Sequence, residues 1–287
     1  MTYSLLVVLR EALEAGIIIA LALSYLRKLD QMRYRWHILL GGGAALFLSI
    51  AAGAALELTS RSISSRALEI MEGSAMLFAA AMLTLMIFWM ARQAATLGAN
   101  LRQDVRRALE RGSPLTLSLL AFTAVGREGL ETVLFLFAGS TTTSTSLYWL
   151  GAAIGLLIAT FLAYLIYLGS ARLPLKAFFN VTGVLLIFLA AGLLANGLKE
   201  LLEAGVITSL GPHVWDTYNY VPDNSQLGRF LATILGYDSS PYLVALIAYL
   251  GYLGVALVSF IGLRRWIVPQ RTGQPIPARP LAPEAEA

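Results

Sequence analysis

Seven predominantly apolar stretches follow one another along this chain, at approximately 4–26, 37–57, 67–91, 115–138, 147–169, 178–198 and 241–263. A helix rising 1.5 Å per residue needs about 20 residues to cross the ~30 Å hydrocarbon core of a bilayer, and each stretch is that long. Inside hydrocarbon, helices and closed barrels are the structures that satisfy every backbone hydrogen bond. The stretches lack period-two alternation, so the fold class expected is all-α: an integral membrane protein with seven transmembrane helices. Composition agrees. Of 287 residues, 57% are hydrophobic and 13% charged, whereas a soluble domain carries about a quarter charged residues.

Basic residues orient the spans. Fifteen of the 21 Lys and Arg residues fall on one side, after spans one, three, five and seven. Four fall on the other: Arg61, Arg66, Lys199 and Arg229. The richer side is cytoplasmic by the positive-inside rule, which puts the N-terminus outside and the C-terminus inside. The net charge of +4 is no sign of nucleic-acid binding, because the basic residues sit in short loops. The first span lacks a basic leader and is interrupted by Arg10, Glu11 and Glu14, so it reads as a retained helix and not as a signal peptide. A multi-pass protein of the cell membrane is expected, the bacterial inner membrane or its equivalent. Residues 269–287 are proline-rich without apolar periodicity and read as a disordered cytoplasmic tail.

Two of the spans carry charge at their middle. Arg10-Glu11-Ala12-Leu13-Glu14 lies in the first and Arg127-Glu128-Gly129-Leu130-Glu131 in the fourth. Each charge at bilayer depth costs about 2.5–3.5 kcal/mol on insertion scales. On a helix, carboxylates three residues apart share one face, and an arginine four residues from a glutamate is its neighbour. Four glutamates with two arginines leave a formal charge of −2, which suits a multivalent cation. Carboxylates are hard oxygen ligands. The arginines hold them in place while no cation is bound. Cysteine is absent and histidine occurs only as His37 and His213, so no thiolate or imidazole cluster accompanies the carboxylates. The other explanation of the motifs is a pair of buried ion pairs that fix helix register.

The motifs are part of a weak repeat. Glu72-Gly73 with Phe78, Ala80, Ala81 and Leu83 in span three matches Thr182-Gly183 with Phe188, Ala190, Ala191 and Leu193 in span six. Spans one to three then correspond to four to six, and an odd number of spans inverts the second copy. The organisation expected is a transmembrane permease domain over 1–268: repeat one 1–91, repeat two 115–198, and a seventh span 241–263. Transporters built this way place their site at midplane between the repeats. The candidate metal ligands are Glu11, Glu14, Glu128 and Glu131, with Arg10 and Arg127 supporting them. Glu72 is a further candidate, or else an interfacial glutamate favouring the dipole at a helix start. The segment 199–240 is too polar to span. It holds Glu200, Glu203, Asp216, Asp223 and Asp238 beside His213, either as an acidic mouth that concentrates cations or as a solvated loop. Leu227–Leu235 is expected to form a short interfacial helix. Thr141–Thr145 reads as a polar turn.

At these residues the chain resembles the oxidase-dependent iron permease family of bacteria and fungi, whose hallmark is two Arg-Glu-x-x-Glu motifs in the first and fourth spans. The resemblance covers roughly residues 1–265. Phe179–Gly205 and Leu235-Gly236-Tyr237 look like the bacterial branch. Ala12 stands where the family usually has glycine, and no acidic-x-x-Glu loop motif of the fungal kind is assigned. The resemblance implies high-affinity import of iron, ferric in form. It casts Glu11, Glu14, Glu128 and Glu131 as iron-handling carboxylates. It also implies an external protein that oxidises or delivers iron, with no cofactor in this chain. One alternative keeps the class and changes the ion to lead or manganese. A remote one is an intramembrane enzyme using paired glutamates. The chain has no cysteine, no histidine cluster and no Gly-x-Ser-x-Gly, so it is not expected to be an enzyme.

Overall fold

The computed structural model describes residues 1–267 apart from 61, 94–96, 111–113, 140–144, 170–174, 210 and 224. The expected tail and most of the Thr141–Thr145 turn lie outside these residues. In chain order the helices are α1 (Thr2–Lys28), α2 (Arg35–Ser60), α3 (Ser65–Gln93), α4 (Leu97–Glu110), α5 (Pro114–Ala138), α6 (Thr145–Tyr167), α7 (Leu175–Glu203), α8 (Gln226–Leu235) and α9 (Leu243–Ile267). Among the described residues no strand forms. Seven helices run 23 to 29 residues and coincide with the seven apolar stretches. Five of them, α2, α3, α6, α7 and α9, are apolar enough to cross a membrane on composition alone. The other two, α1 and α5, match them in length and carry the motif charges. The fold is that of an all-helical, multi-pass membrane protein.

Its outer surface agrees. Phe47 on α2, Leu157 and Phe161 on α6, and Val255 and Val258 on α9 all point outward. Such a girdle of large apolar side chains is a liability in water and ordinary in lipid.

Packing centres on three helix pairs: α1 with α6, α2 with α5, and α3 with α7. Lipid tails are as apolar as leucine, so helices in a membrane associate where small residues allow close dispersion contact. Along α1 and α6, the Met1 carbonyl lies against Gly151, the Leu5 carbonyl against Gly155, and Gly16 against Ala163. Both residue series ascend, so the two helices are parallel. Along α2 and α5, Gly41 lies against the Ser118 carbonyl, Ser49 against Gly129, and Gly53 against Val133. These helices are parallel too. On α3 and α7 the order reverses: Gly73 meets Gly197, and Ile87 meets Gly183. A side chain at Gly41 or Gly151 would run into a backbone carbonyl. Helix α9 closes the α3–α7 pair, with buried Phe260 against Gly183 and the Tyr252 hydroxyl 2.6 Å from Thr84 Oγ1.

Helix α4 was not foreseen. Its 14 residues, within what reads as a basic loop, form a strongly amphipathic helix. Leu101, Val105 and Ala108 share one face and are buried against Ala22 and Leu26 of α1 and Leu117 and Ala121 of α5. Pro114 then opens α5, at the position where its missing N–H costs nothing.

The segment after α7 is also more ordered than a solvated loop. The His213 and Tyr242 rings lie 4.2 Å apart. Thr217 N donates to Ser239 O at 2.8 Å, and Ser239 Oγ donates to Asp223 Oδ2 at 2.5 Å. Asp238 pairs with Lys199 at 3.5 Å, and Asp216 Oδ1 accepts from Tyr218 N. Asp216, Asp223 and Asp238 therefore each make a bond within the segment or to the end of α7. The expected short helix is present as α8, capped by Ser225 at its start and by Gly236 in the left-handed region at its end.

Candidate metal centre

Both motifs form continuous helix, so each charged group emerges at a fixed angle. On α1, Arg10 Nη1 donates to Glu11 Oε1 at 2.7 Å, and Nη2 lies 2.6 Å from Glu14 Oε1. On α5, Arg127 Nη2 lies 2.9 Å from Glu128 Oε1, and Nε lies 3.3 Å from Glu131 Oε1. The pattern is the same in both helices: one arginine spans its own two glutamates. Glu11, Glu14, Glu128 and Glu131 are all buried.

Packing of α1 against α5 gathers three of these side chains. Glu11, Glu128 and Glu131 each offer a carboxylate oxygen, and the three oxygens lie within 4.8 Å of one another. Each of the three also keeps its Oε2 buried without a hydrogen-bond partner. A buried polar atom left unsatisfied costs about 1–3 kcal/mol, and more when it bears charge. Three such carboxylates, drawn from two helices and brought together, make a hard-oxygen donor set of the kind that suits a multivalent cation. Glu14 stands one turn along α1, held by Arg10, and lies outside that trio. Glu72 is not gathered. It is half-buried on α3, and its neighbour Gly73 packs on Gly197 and Glu200 of α7. It stands eighth in α3, beyond the first turn.

A cavity of about 400 Å³ leads to the centre. Glu14, Arg127 and Glu128 line it, with Trp89 and Met90 of α3, Leu101 and Asp104 of α4, and Leu120 and Thr123 of α5. The opposite approach, between the start of α1 and the end of α5, is filled. There Tyr3 donates its hydroxyl to the Phe135 carbonyl at 2.8 Å and stacks on Tyr148, and Ser4 Oγ donates to the Tyr148 carbonyl at 2.7 Å. The centre is therefore open on the α4 side and closed on the Tyr3 side.

The two arginines differ in surroundings. Arg10 is sealed, and its Nη1 also reaches the thioether of Met86 on α3. Arg127 has 43% of its side chain exposed and lies with its Cζ 4.7 Å from the centre of the Trp89 ring. Sequence reasoning missed Met86, Trp89 and Asp104. A tryptophan near a span end reads as an interfacial anchor, and nothing in its spacing reports an arginine 38 positions away.

A bundle of apolar helices around a cavity that ends on buried carboxylates is the build of a multi-pass membrane permease. More narrowly, the chain belongs to the iron permease FTR1 family, whose model matches residues 1–272. It is 33% identical over 270 residues to the ferrous iron permease EfeU of Escherichia coli O6:H1 (strain CFT073), covering 93% of this chain and 96% of that one. Against the protein of the same name from Shigella sonnei (strain Ss046) it is 34% identical over 257 residues, or 89% and 93% of the two chains. Against that of Yersinia pestis the figures are 32%, 89% and 91%. No solved structure matches the chain.

Proposed function

We propose that this protein imports iron, and that Glu11, Glu128 and Glu131 hold the ion midway while Glu14 and the two arginines support them. Membership of the iron permease family supports iron as the cargo. The observation that carries the site assignment is the trio of buried carboxylates from two helices, each with an unpartnered oxygen. An all-oxygen donor set favours the ferric ion. The EfeU relatives are named for ferrous iron, so the assay below carries both. An external iron-oxidising or iron-delivering protein is part of the proposal.

The transport cycle we propose is alternating access between inverted repeats in a seven-span chain, N-terminus outside and C-terminus inside. Its support is the way contacts recur. The register that sets Arg10 on Arg127 sets Met1 on Ser118 and Gly16 on Val133. The register that sets Gly73 on Gly183 sets Gly41 on Gly151 and Gly53 on Ala163. The Met1–Gly151 contact therefore answers to Ser118–Gly41, and Gly16–Ala163 to Val133–Gly53. Gly73–Gly197 falls in the same way on Gly183–Ile87. The helix directions agree with spans that alternate in sense. In this symmetry Leu120 and Ile18, which line the open cavity, answer to Tyr3 and Phe135, which close the other end.

The test is uptake of labelled iron by cells lacking other importers, followed by proteoliposomes given ferric or ferrous iron with and without a proton gradient. Glu128→Gln and Glu11→Gln are expected to abolish uptake while still reaching the membrane. Normal uptake by either variant refutes the assignment.

A further inference from the structure

We infer that Trp89 is a positioning residue of the metal centre: its ring carries the Arg127 guanidinium and so keeps the free oxygens of Glu128 and Glu131 open to the cation. This rests on the site assignment made above.

The two motifs supply nearly the same residues, so the difference between their arginines comes from what packs on them. Arg10 is fixed from every side, by Glu11, Glu14 and Met86. Arg127 instead borders the cavity and has room to move. A guanidinium donates hydrogen bonds along its edge and offers its face to an aromatic ring. Arg127 uses both. Its nitrogens form ion pairs with the Oε1 atoms of Glu128 and Glu131, at 2.9 and 3.3 Å, and its Cζ lies over the Trp89 ring.

The division matters because both glutamates keep Oε2 without a partner. A guanidinium has five donors, and one free to turn in the cavity would reach over and engage those atoms too. An incoming cation would then have to displace it from four oxygens. The ring holds the arginine to one edge of the carboxylates. It also remains as a partner when a cation takes their charge. Trp89 is itself 38% exposed and lines the same cavity, so the contact sits on the cation's route.

The experiment measures iron uptake against concentration in proteoliposomes for Trp89→Phe, Trp89→Tyr, Trp89→Leu and Trp89→Met, with Glu128→Gln as the control on the site itself. Losing the ring is expected to raise KM about 2- to 30-fold, the range a cation–π contact is worth, with maximal rate and melting temperature little changed. The Phe and Tyr variants are expected to stay near the parent. In an Arg127→Met background, Trp89→Leu is expected to change KM no further, because the coupling partner is gone. An unchanged KM in Trp89→Leu and Trp89→Met overturns the inference. So does equal impairment in the Phe and Leu variants, or the same effect with and without Arg127. Normal transport by Glu128→Gln would instead remove the site assignment, and the role of Trp89 with it.

Discussion

At the scale of single residues, the two arginines share a motif and differ in energetic role. Arg10 is buried to 3% exposure between two buried carboxylates. Removing it strands both, and breaking a buried pair in this way costs about 3–5 kcal/mol. Arg127 is half-open to the cavity, so water can take part of its place, although its partners Glu128 and Glu131 are buried. Arg10→Met is therefore expected to lower the melting temperature in detergent sharply, and Arg127→Met less. Equal shifts would show that burial does not set the difference. The motif residues were legible in the sequence because charge inside an apolar run is costly and needs a reason. The roles of Trp89 and Met86 were not legible. Both are apolar residues in an apolar helix, and their contacts with arginines arise only when α3 docks on α1 and α5. Glu72 was legible as a charge in the same way, and it stands on α3 apart from the trio of carboxylates that α1 and α5 gather.

Helices are set against one another by small residues at particular positions. Gly41 and Gly43 are two residues apart on α2 and meet different surroundings. A Cβ at Gly41 would strike the Ser118 backbone, whereas one at Gly43 meets nothing within 4 Å. Gly41→Ala is expected to cost about 1–3 kcal/mol through overpacking of α2 on α5. Gly43→Ala is expected to be neutral, or stabilising by up to about 1 kcal/mol through helix propensity. Thermal unfolding in detergent would measure both, and a harmless Gly41→Ala would contradict the packing described. The long helices were legible from run length, with ends off by a few residues, because hydrocarbon thickness sets a minimum that sequence reports directly. α8 was legible from its short apolar run. α4 was hidden: three apolar residues at helical spacing are outweighed by Arg102, Asp104, Arg106 and Arg107, so the stretch reads as a charged loop until α1 and α5 supply a surface for it.

Across the whole molecule, the cavity that reaches the centre lies on the α4 side, and among the described residues Tyr3, Phe135 and Tyr148 fill the other approach. The chain has no cysteine, so a single introduced thiol reports without background. Thr123→Cys, in the cavity wall, is expected to react with a membrane-impermeant maleimide in inside-out vesicles and not in intact cells. Ser4→Cys, buried beneath Tyr148, is expected to stay unreacted from either side. Labelling of Thr123→Cys from outside would reverse the orientation. The pairing of α1 with α6 has a further consequence for how such a chain is made. Ribosomes add about 5–20 residues per second, so α1 leaves the insertion machinery on the order of ten seconds before α6 exists to receive it. During that wait a lone helix must lodge three ionic groups in lipid. Because Arg10 clasps the two acids of its own helix, and not those of a distant segment, the newborn span already carries its partner for one of those two charges and enters with a formal charge of −1 in place of −2.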